Sequence, residues 1–191
     1  PMLLLPAALT AQRPVPYTPG MIMTASTRIA PGQYRIPSGD SVGIIVRGTN
    51  VTLDLRGVEL VGDTTRSRPD QFSGMGILVV GGSQVTVRGA TVRSVKHGLV
   101  ARGTRGLRLV DSDFSYNQKP RLYSGIEKES LVDWLSFHQN EKQEWLRFGA
   151  GVYLDGVTGG EIRNVTVRQG MNGLMLNRTD SLLIWNSDFS F

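Results

Sequence analysis

Apolar residues in this chain fall in short runs at every second position, separated by glycine, asparagine and aspartate. After Gly98 the runs are Leu99/Ala101, Leu107/Leu109 and Ser112/Phe114. After Gly173 they are Leu174/Leu176, Leu182/Ile184 and Ser187/Phe189. Period-2 alternation is the mark of a strand with one buried face, and no helical period of useful length interrupts it. The stretch 98–115, GLVARGTRGLRLVDSDFS, returns almost position for position at 173–190, GLMLNRTDSLLIWNSDFS. Gly76 and Gly151 begin further copies, each 22 residues before the next, and a slightly longer copy starts at Gly43. A recurring unit of this length marks a solenoid, in which each unit buries its apolar face only against its neighbours.

Three short strands per rung of about 22 residues predict an all-β, right-handed parallel β-helix with equivalent strands about 4.8 Å apart. Aligned rungs give ladders. The inward positions of the second strand are Val51/Leu53, Val85/Val87, Leu107/Leu109 and Leu182/Ile184, with Ile162 alone in its rung. Thr52, Thr86, Arg108, Glu161 and Leu183 face outward, which predicts a surface ion pair between Arg108 and Glu161. Gly89, Asp111, Asn164 and Asn186 share the corner before the third strand, where a left-handed bend suits them and side chains can bond up the stack. Phe114 and Phe189 are core aromatics by the same alignment. Residues 26–36, STRIAPGQYRI, read as two strands around a Pro-Gly turn, forming the opening rung.

Two rungs depart from the pattern. From the third-strand core residue to the next glycine is six residues for Val92 to Gly98 and for Val167 to Gly173. It is 16 for Leu60 to Gly76 and 37 for Phe114 to Gly151. These insertions, at about 62–75 and 117–149, leave from the same corner and overhang the first-strand face. The second has Leu131, Leu135, His138, Lys142 and Trp145 at roughly helical spacing. It predicts one or two short helices packing Trp134, Phe137, Trp145 or Phe148 onto the coil. The first-strand face itself offers an apolar outward ladder, Ile45, Leu78, Val100, Tyr153 and Met175. Beside it runs a mostly polar one, Arg47, Val80, Arg102, Asp155 and Asn177.

The repeats, together with the phrase NVTLDL at 50–55, resemble the right-handed parallel β-helix repeat proteins. These form the pectate-lyase-like superfamily, which includes carbohydrate-binding and sugar-hydrolase modules. The resemblance covers roughly 36–191 and speaks to fold far more than to activity. It implies a substrate groove along a strand face flanked by loops, here the first-strand face.

Composition adds modest constraints. Net charge is +5 and the sequence pI about 9.9, which mildly favours anionic partners such as acidic polysaccharide, nucleic acid or a membrane surface, a generic basic surface being the competing reading. No Lys/Arg run with interleaved aromatics suggests a nucleic-acid footprint. Cysteine is absent, which excludes disulfides and thiolate metal sites. Residues 1–12, PMLLLPAALTAQ, read as the remnant of a secretory signal peptide, too short to span a bilayer. An extended lead-in (13–25) and the β-helix domain (26–191) follow. Export predicts a secreted or periplasmic protein. The chain stops straight after a third strand without a polar cap, so further rungs are expected beyond it.

Several residues on or near the first-strand face could carry chemistry. Lys96 and His97 sit at the corner shared by both insertions, and their side chains suit proton transfer or neutralisation of a uronate. The turn position is the competing reading, since Asn172 occupies the equivalent position before Gly173. Arg102 and Asp155 are equivalent on consecutive rungs: a carboxylate clamp beside an acid, base or Ca²⁺ ligand, or a pair that neutralises itself. Tyr153 is placed to stack on a sugar ring or to be covered by the insertion. Arg47 and Asn177 extend the polar ladder, and His138 is a further candidate on the insertion.

Asp111, Asp113 and Asp188 lie at another corner, away from the groove, and do not flank one bond as glycosidase carboxylates must. The paired aspartates of polygalacturonase-like hydrolases and the Asp-Pro-His-Asp motif of mannuronan epimerases are both absent. The leading expectation is an exported protein that binds or processes polysaccharide along the first-strand groove, by lyase-type β-elimination if it is an enzyme. The alternatives are a non-catalytic carbohydrate-binding or adhesin solenoid, a phage or surface appendage coil, or a periplasmic accessory protein. In the accessory form Met21, Met23, Met171, Met175 and the histidines would be soft-metal ligands, although they do not cluster at ligand spacing.

Overall fold

The computed structural model describes residues 13–62, 68–119, 121, 123, 125, 128, 130 and 148–190. In chain order the strands are β1 (Met21–Met23), β2 (Thr27–Arg28), β3 (Gly32–Arg35), β4 (Val42–Val46), β5 (Thr52–Val61), β6 (Met75–Val80) and β7 (Thr86–Arg93). β8 (His97–Arg102), β9 (Arg105–Asp113), β10 (Ala150–Asp155), β11 (Thr158–Thr166), β12 (Leu174–Asn177) and β13 (Asp180–Trp185) follow. Every pairing among them is parallel and joins equivalent strands of successive rungs. One sheet runs β1-β4-β6-β8-β10-β12. The other runs β2-β5-β7-β9-β11-β13, with β3 also on β5. This is the expected all-β coil, a right-handed parallel β-helix, and its register is the one the repeats dictate. Ile45 pairs with Leu78, Leu78 with Val100, Val100 with Tyr153 and Tyr153 with Met175.

In β5, β7, β9 and β11 the second and third strands of a rung run on from one another, bent at a single residue, and in the last rung the same bend follows β13. That residue has a left-handed backbone: Gly57 (φ 79°), Gly89 (67°), Asp111 (52°), Asn164 (53°) and Asn186 (47°). Asn and Asp tolerate this conformation better than other side-chain-bearing residues, because their short polar groups bond locally. Here they also bond up the stack. Asn164 Nδ2 donates to Asp111 Oδ1 (2.7 Å), and Asn186 Nδ2 donates to Asn164 Oδ1 (2.5 Å).

The core is a column of stacked aliphatic side chains. Val51, Leu53, Val85, Val87, Leu107, Leu109 and Ile162 are all fully buried, as is Phe114. At β13 Leu182 is half-buried and Ile184 is 38% exposed. The glycine that opens each copy has a packing cause. A Cβ on Gly43 would lie 2.6 Å from the Gly76 carbonyl oxygen, one on Gly76 would lie 2.5 Å from that of Gly98, and one on Gly98 would lie 2.4 Å from that of Gly151. Any side chain there would push successive rungs apart.

The coil begins before residue 26, because β1 already stacks on β4 in the first sheet. Residues 27–35 form the opening rung around Pro31-Gly32, as the pattern predicts. Of the first insertion, a short 3₁₀ turn at Pro69–Gln71 and the buried Phe72 are in place. Of the second, Phe148 is buried, in keeping with the expectation that it packs. The predicted helices and their residues Leu131, Trp134, Leu135, Phe137, His138, Lys142 and Trp145 lie outside the described residues. So does the signal-peptide reading of 1–12.

Candidate functional site

The two faces of the first sheet are built alternately from the same strands. Leu99, Ala101, Val152 and Leu154 point into the column, whereas Val100 and Tyr153 belong to a separate outer cluster with Ala150, Met75, Leu78 and Met175. Although it faces outward, this cluster is not open: Val100 is 0% and Tyr153 3% exposed. The Tyr153 ring is thus enclosed, with little surface to offer a sugar. Burial also raises the Tyr153 pKa, against a contact with Asn177 Nδ2 at 3.5 Å.

Lys96 and His97 stand at the start of β8, at the N-terminal end of this face. His97 is 5% exposed. Burial, aided by the positive charges of Lys96 and Arg102, pushes its pKa down to about 4. Such an imidazole is neutral at pH 7 and enclosed, a poor fit to the groove-lining base that its sequence position suggested. Its burial follows from its register, since it pairs with Met75 on one side and Ala150 on the other. Lys96 is half-buried, and its pKa is lowered by desolvation against the opposing charge of Asp40.

The polar ladder meets solvent at the other end of the strands. Arg47, Arg102 and Asn177 are exposed, Val80 is 36% exposed, and Asp155 is partly exposed. Val80, Arg102, Asp155 and Asn177 are register partners on four consecutive rungs. Asp155 Oδ1 accepts from Asn177 Nδ2 (3.0 Å) and from Arg178 Nη2 (2.6 Å) and Nε (3.1 Å). The turns behind the ladder are fixed by hydroxyls. Thr104 Oγ1 donates to the carbonyls of Gly81 (3.1 Å) and Arg102 (3.3 Å). Thr179 Oγ1 does the same to those of Leu154 (3.3 Å) and Asn177 (3.0 Å).

Arg178 was not singled out from the sequence, though a signal was present. In the preceding copies its place is taken by Gly81, Gly103 and Gly156, all with positive φ, and Arg178 adopts the same left-handed backbone (φ 48°). For a long side chain that conformation costs roughly 1–2 kcal/mol. The side chain set there is 75% exposed and reaches back to Asp155. The strip thus combines three guanidinium groups with one carboxylate and one amide. That set suits hydrogen bonding to sugar hydroxyls and pairing with carboxylates. It does not fit Ca²⁺, because the one carboxylate is already engaged by a cation. Among the described residues no group of three His, Asp or Glu side chains gathers to hold a metal. The four methionines of the soft-metal reading fall in two pairs at opposite ends of the first sheet, Met21 and Met23 on β1, and Met171 just before β12 with Met175 in it.

The family model described as "Right handed beta helix region" matches residues 75–191. The chain belongs to the right-handed β-helix family. No curated protein sequence matches this β-helix chain. Among solved structures, it is similar to a candidate glycosyl hydrolase from Parabacteroides merdae, with 8% identity and a TM-score of 0.46. That match covers 85% of this chain and 82% of the other. No helix among the described residues of the β-helix is long and apolar enough to cross a membrane.

Proposed function

We propose that this β-helix binds polysaccharide, an acidic one, along the exposed strip of Arg47, Arg102, Asp155, Asn177 and Arg178 at the edge of the first sheet. One observation carries the reading: Arg47, Arg102, Asn177 and Arg178 are exposed along the edge of the first sheet, with Val80 and Asp155 on the rungs between them, rungs being about 4.8 Å apart. A linear polyanion lying along this edge can pair its carboxylates with the guanidinium groups. The excess of positive charge over the whole chain, +5, acts in the same direction. In this reading the protein works outside the cytoplasm, where such polymers are met.

Binding is favoured over lyase-type chemistry by the state of His97, whose enclosure and depressed pKa leave it unsuited to abstract a proton from an exposed sugar. The test is a panel of neutral and acidic polysaccharides, following retention, unsaturated-uronate absorbance and new reducing ends together. Retention of acidic polymers that is lost in Arg102→Ala and Arg178→Ala, without absorbance or new ends, is the expected result. Absorbance with new ends would make the protein a lyase. Equal retention of neutral and acidic polymers would remove the role given to the arginines.

A further inference from the structure

Positive charge also collects where the two insertions approach each other, ahead of β6 and after β9. Arg68, Pro69, Asp70, Lys119 and Arg121 line an open pocket of about 400 Å³. Its framework is anchored. The Lys119 backbone N–H donates to the Pro69 carbonyl (3.3 Å), tying one excursion to the other. Just behind, the buried Phe72 meets Tyr116 edge to face, with ring centres 5.8 Å apart.

Asp70 takes two donors from Arg68, Nε to Oδ1 at 3.0 Å and Nη2 to Oδ2 at 2.6 Å. A guanidinium has five N–H groups, so three of those on Arg68 are not used by this pair. Among the described residues the pocket is lined by three cationic side chains and one carboxylate, and both Arg121 and Lys119 are exposed. The Arg121 guanidinium sits over the ring of Tyr123, 5.8 Å from its centre, and that ring, next to the lining residues, is 65% exposed. An aromatic ring adjoining cationic side chains matches the two halves of a sugar acid, a C–H-rich ring and a carboxylate.

We infer that this pocket is a second saccharide site, one that takes the carboxylate of a single acidic sugar unit. Arg68, Lys119 and Arg121 provide the donors and Tyr123 the platform. The inference rests on the acidic-polysaccharide reading above, but it concerns a different place. The pocket adjoins the N-terminal end of the first-sheet strands and the strip their C-terminal end, so the length of β6, roughly 16 Å at 3.3 Å per residue, separates them.

The experiment titrates the full chain with an oligogalacturonate, its methyl-esterified neutral form and inorganic phosphate. It compares the wild type, Arg121→Gln, Arg68→Gln, Tyr123→Ala, and the strip pair Arg102→Gln and Arg178→Gln. All these side chains are at or near the surface, and thermal melts confirm that each variant is folded. Loss of one charge-assisted contact is expected to raise the oligogalacturonate Kd about tenfold in Arg121→Gln and Arg68→Gln. A smaller rise is expected in Tyr123→Ala, and little binding of the neutral form.

Binding that survives all three pocket variants but falls in the strip variants would overturn the pocket and leave the strip reading standing. Binding that falls only in the pocket variants would overturn the strip and keep the pocket. Phosphate competing as well as the oligogalacturonate, with Tyr123→Ala silent, would reduce the pocket to a generic anion patch and overturn its assignment to a sugar. No oligogalacturonate binding to any form would overturn both.

Discussion

Replacing Asn117 with alanine isolates what a single buried amide contributes to a β-helix. Asn117 is 2% exposed. Its Oδ1 accepts from the Val95 backbone N–H (3.2 Å), and its Nδ2 donates to the carbonyls of Phe114 (2.8 Å) and Val92 (3.2 Å). The side chain fits only because Gly98 has no Cβ, which would sit 2.9 Å from Nδ2. Alanine leaves the N–H of the fully buried Val95 without this acceptor, at about 1–3 kcal/mol, and removes two bonds worth about 0.5–1.5 kcal/mol each. The sum is roughly 2–6 kcal/mol, or about 4–24 °C in melting temperature for a chain of this size. The assay is urea unfolding followed by circular dichroism, with Asn177→Ala as the control. Asn177 donates to Asp155 Oδ1 (3.0 Å) at the surface, from an ordinary strand position, so its loss should cost about 1 kcal/mol or less. A cost below about 1 kcal/mol for Asn117→Ala, or equal costs for the two variants, would refute the reasoning.

Two further outcomes follow from the same structure. The His97 pKa falls from 6.5 to about 4 on folding, so between those values the unfolded chain binds more protons and stability drops as pH falls. From pH 7 to pH 4 the wild type should lose about 2–4 kcal/mol more than His97→Gln, read from urea midpoints at the two pH values. Equal losses would show that the imidazole is not held neutral. Gly81 and Gly82 both have positive φ, but a Cβ on Gly81 meets nothing within 4 Å, whereas one on Gly82 would lie 1.8 Å from the Gly48 carbonyl oxygen. Thermal melts should show Gly81→Ala costing about 1 kcal/mol and Gly82→Ala clearly more, because only the second must move the rung beside it. A reversed order would contradict the close stacking.

The coil was legible in the sequence because its determinants are local and repeated. Alternation fixed which residues face inward, and the 22-residue recurrence fixed the register, so Tyr153 could be set beside Val100 and Met175 from position alone. The corner of Asp111, Asn164 and Asn186 was legible for the same reason. Solvent exposure at the candidate site was not. Alternation assigns Tyr153 and Val100 to the outer face, but whether that face is covered depends on contacts distant in sequence. His97 likewise reads as a turn residue beside a groove, and its enclosure comes from strands 22 residues before it and 53 after it. Asn117, counted with the insertion by spacing, proves to be part of the coil, because its bonds run back to Val92 and Val95.

Several charges pair within the fold: Arg93 with Asp113, Arg108 with Glu161, Arg168 with Asp188 and Arg88 with Asp54 between rungs, and Arg56 with Asp54 on one strand. Asp54 shows the logic at its strongest. Burial alone would raise its pKa, yet hydrogen bonds from Arg56 and Arg88 outweigh this and hold it far below the usual carboxylate range. Such pairs lie within one strand or between neighbouring rungs on the second sheet, and their cations are spent within the fold. At the strip and the pocket the ratio changes. Arg178 pairs with Asp155 on the ladder that also carries Arg47 and Arg102, and Arg68 pairs with Asp70 beside Lys119 and Arg121. In the reading proposed above, these two groups are where an external anion is met. The paired charges of the second sheet keep the rungs in register.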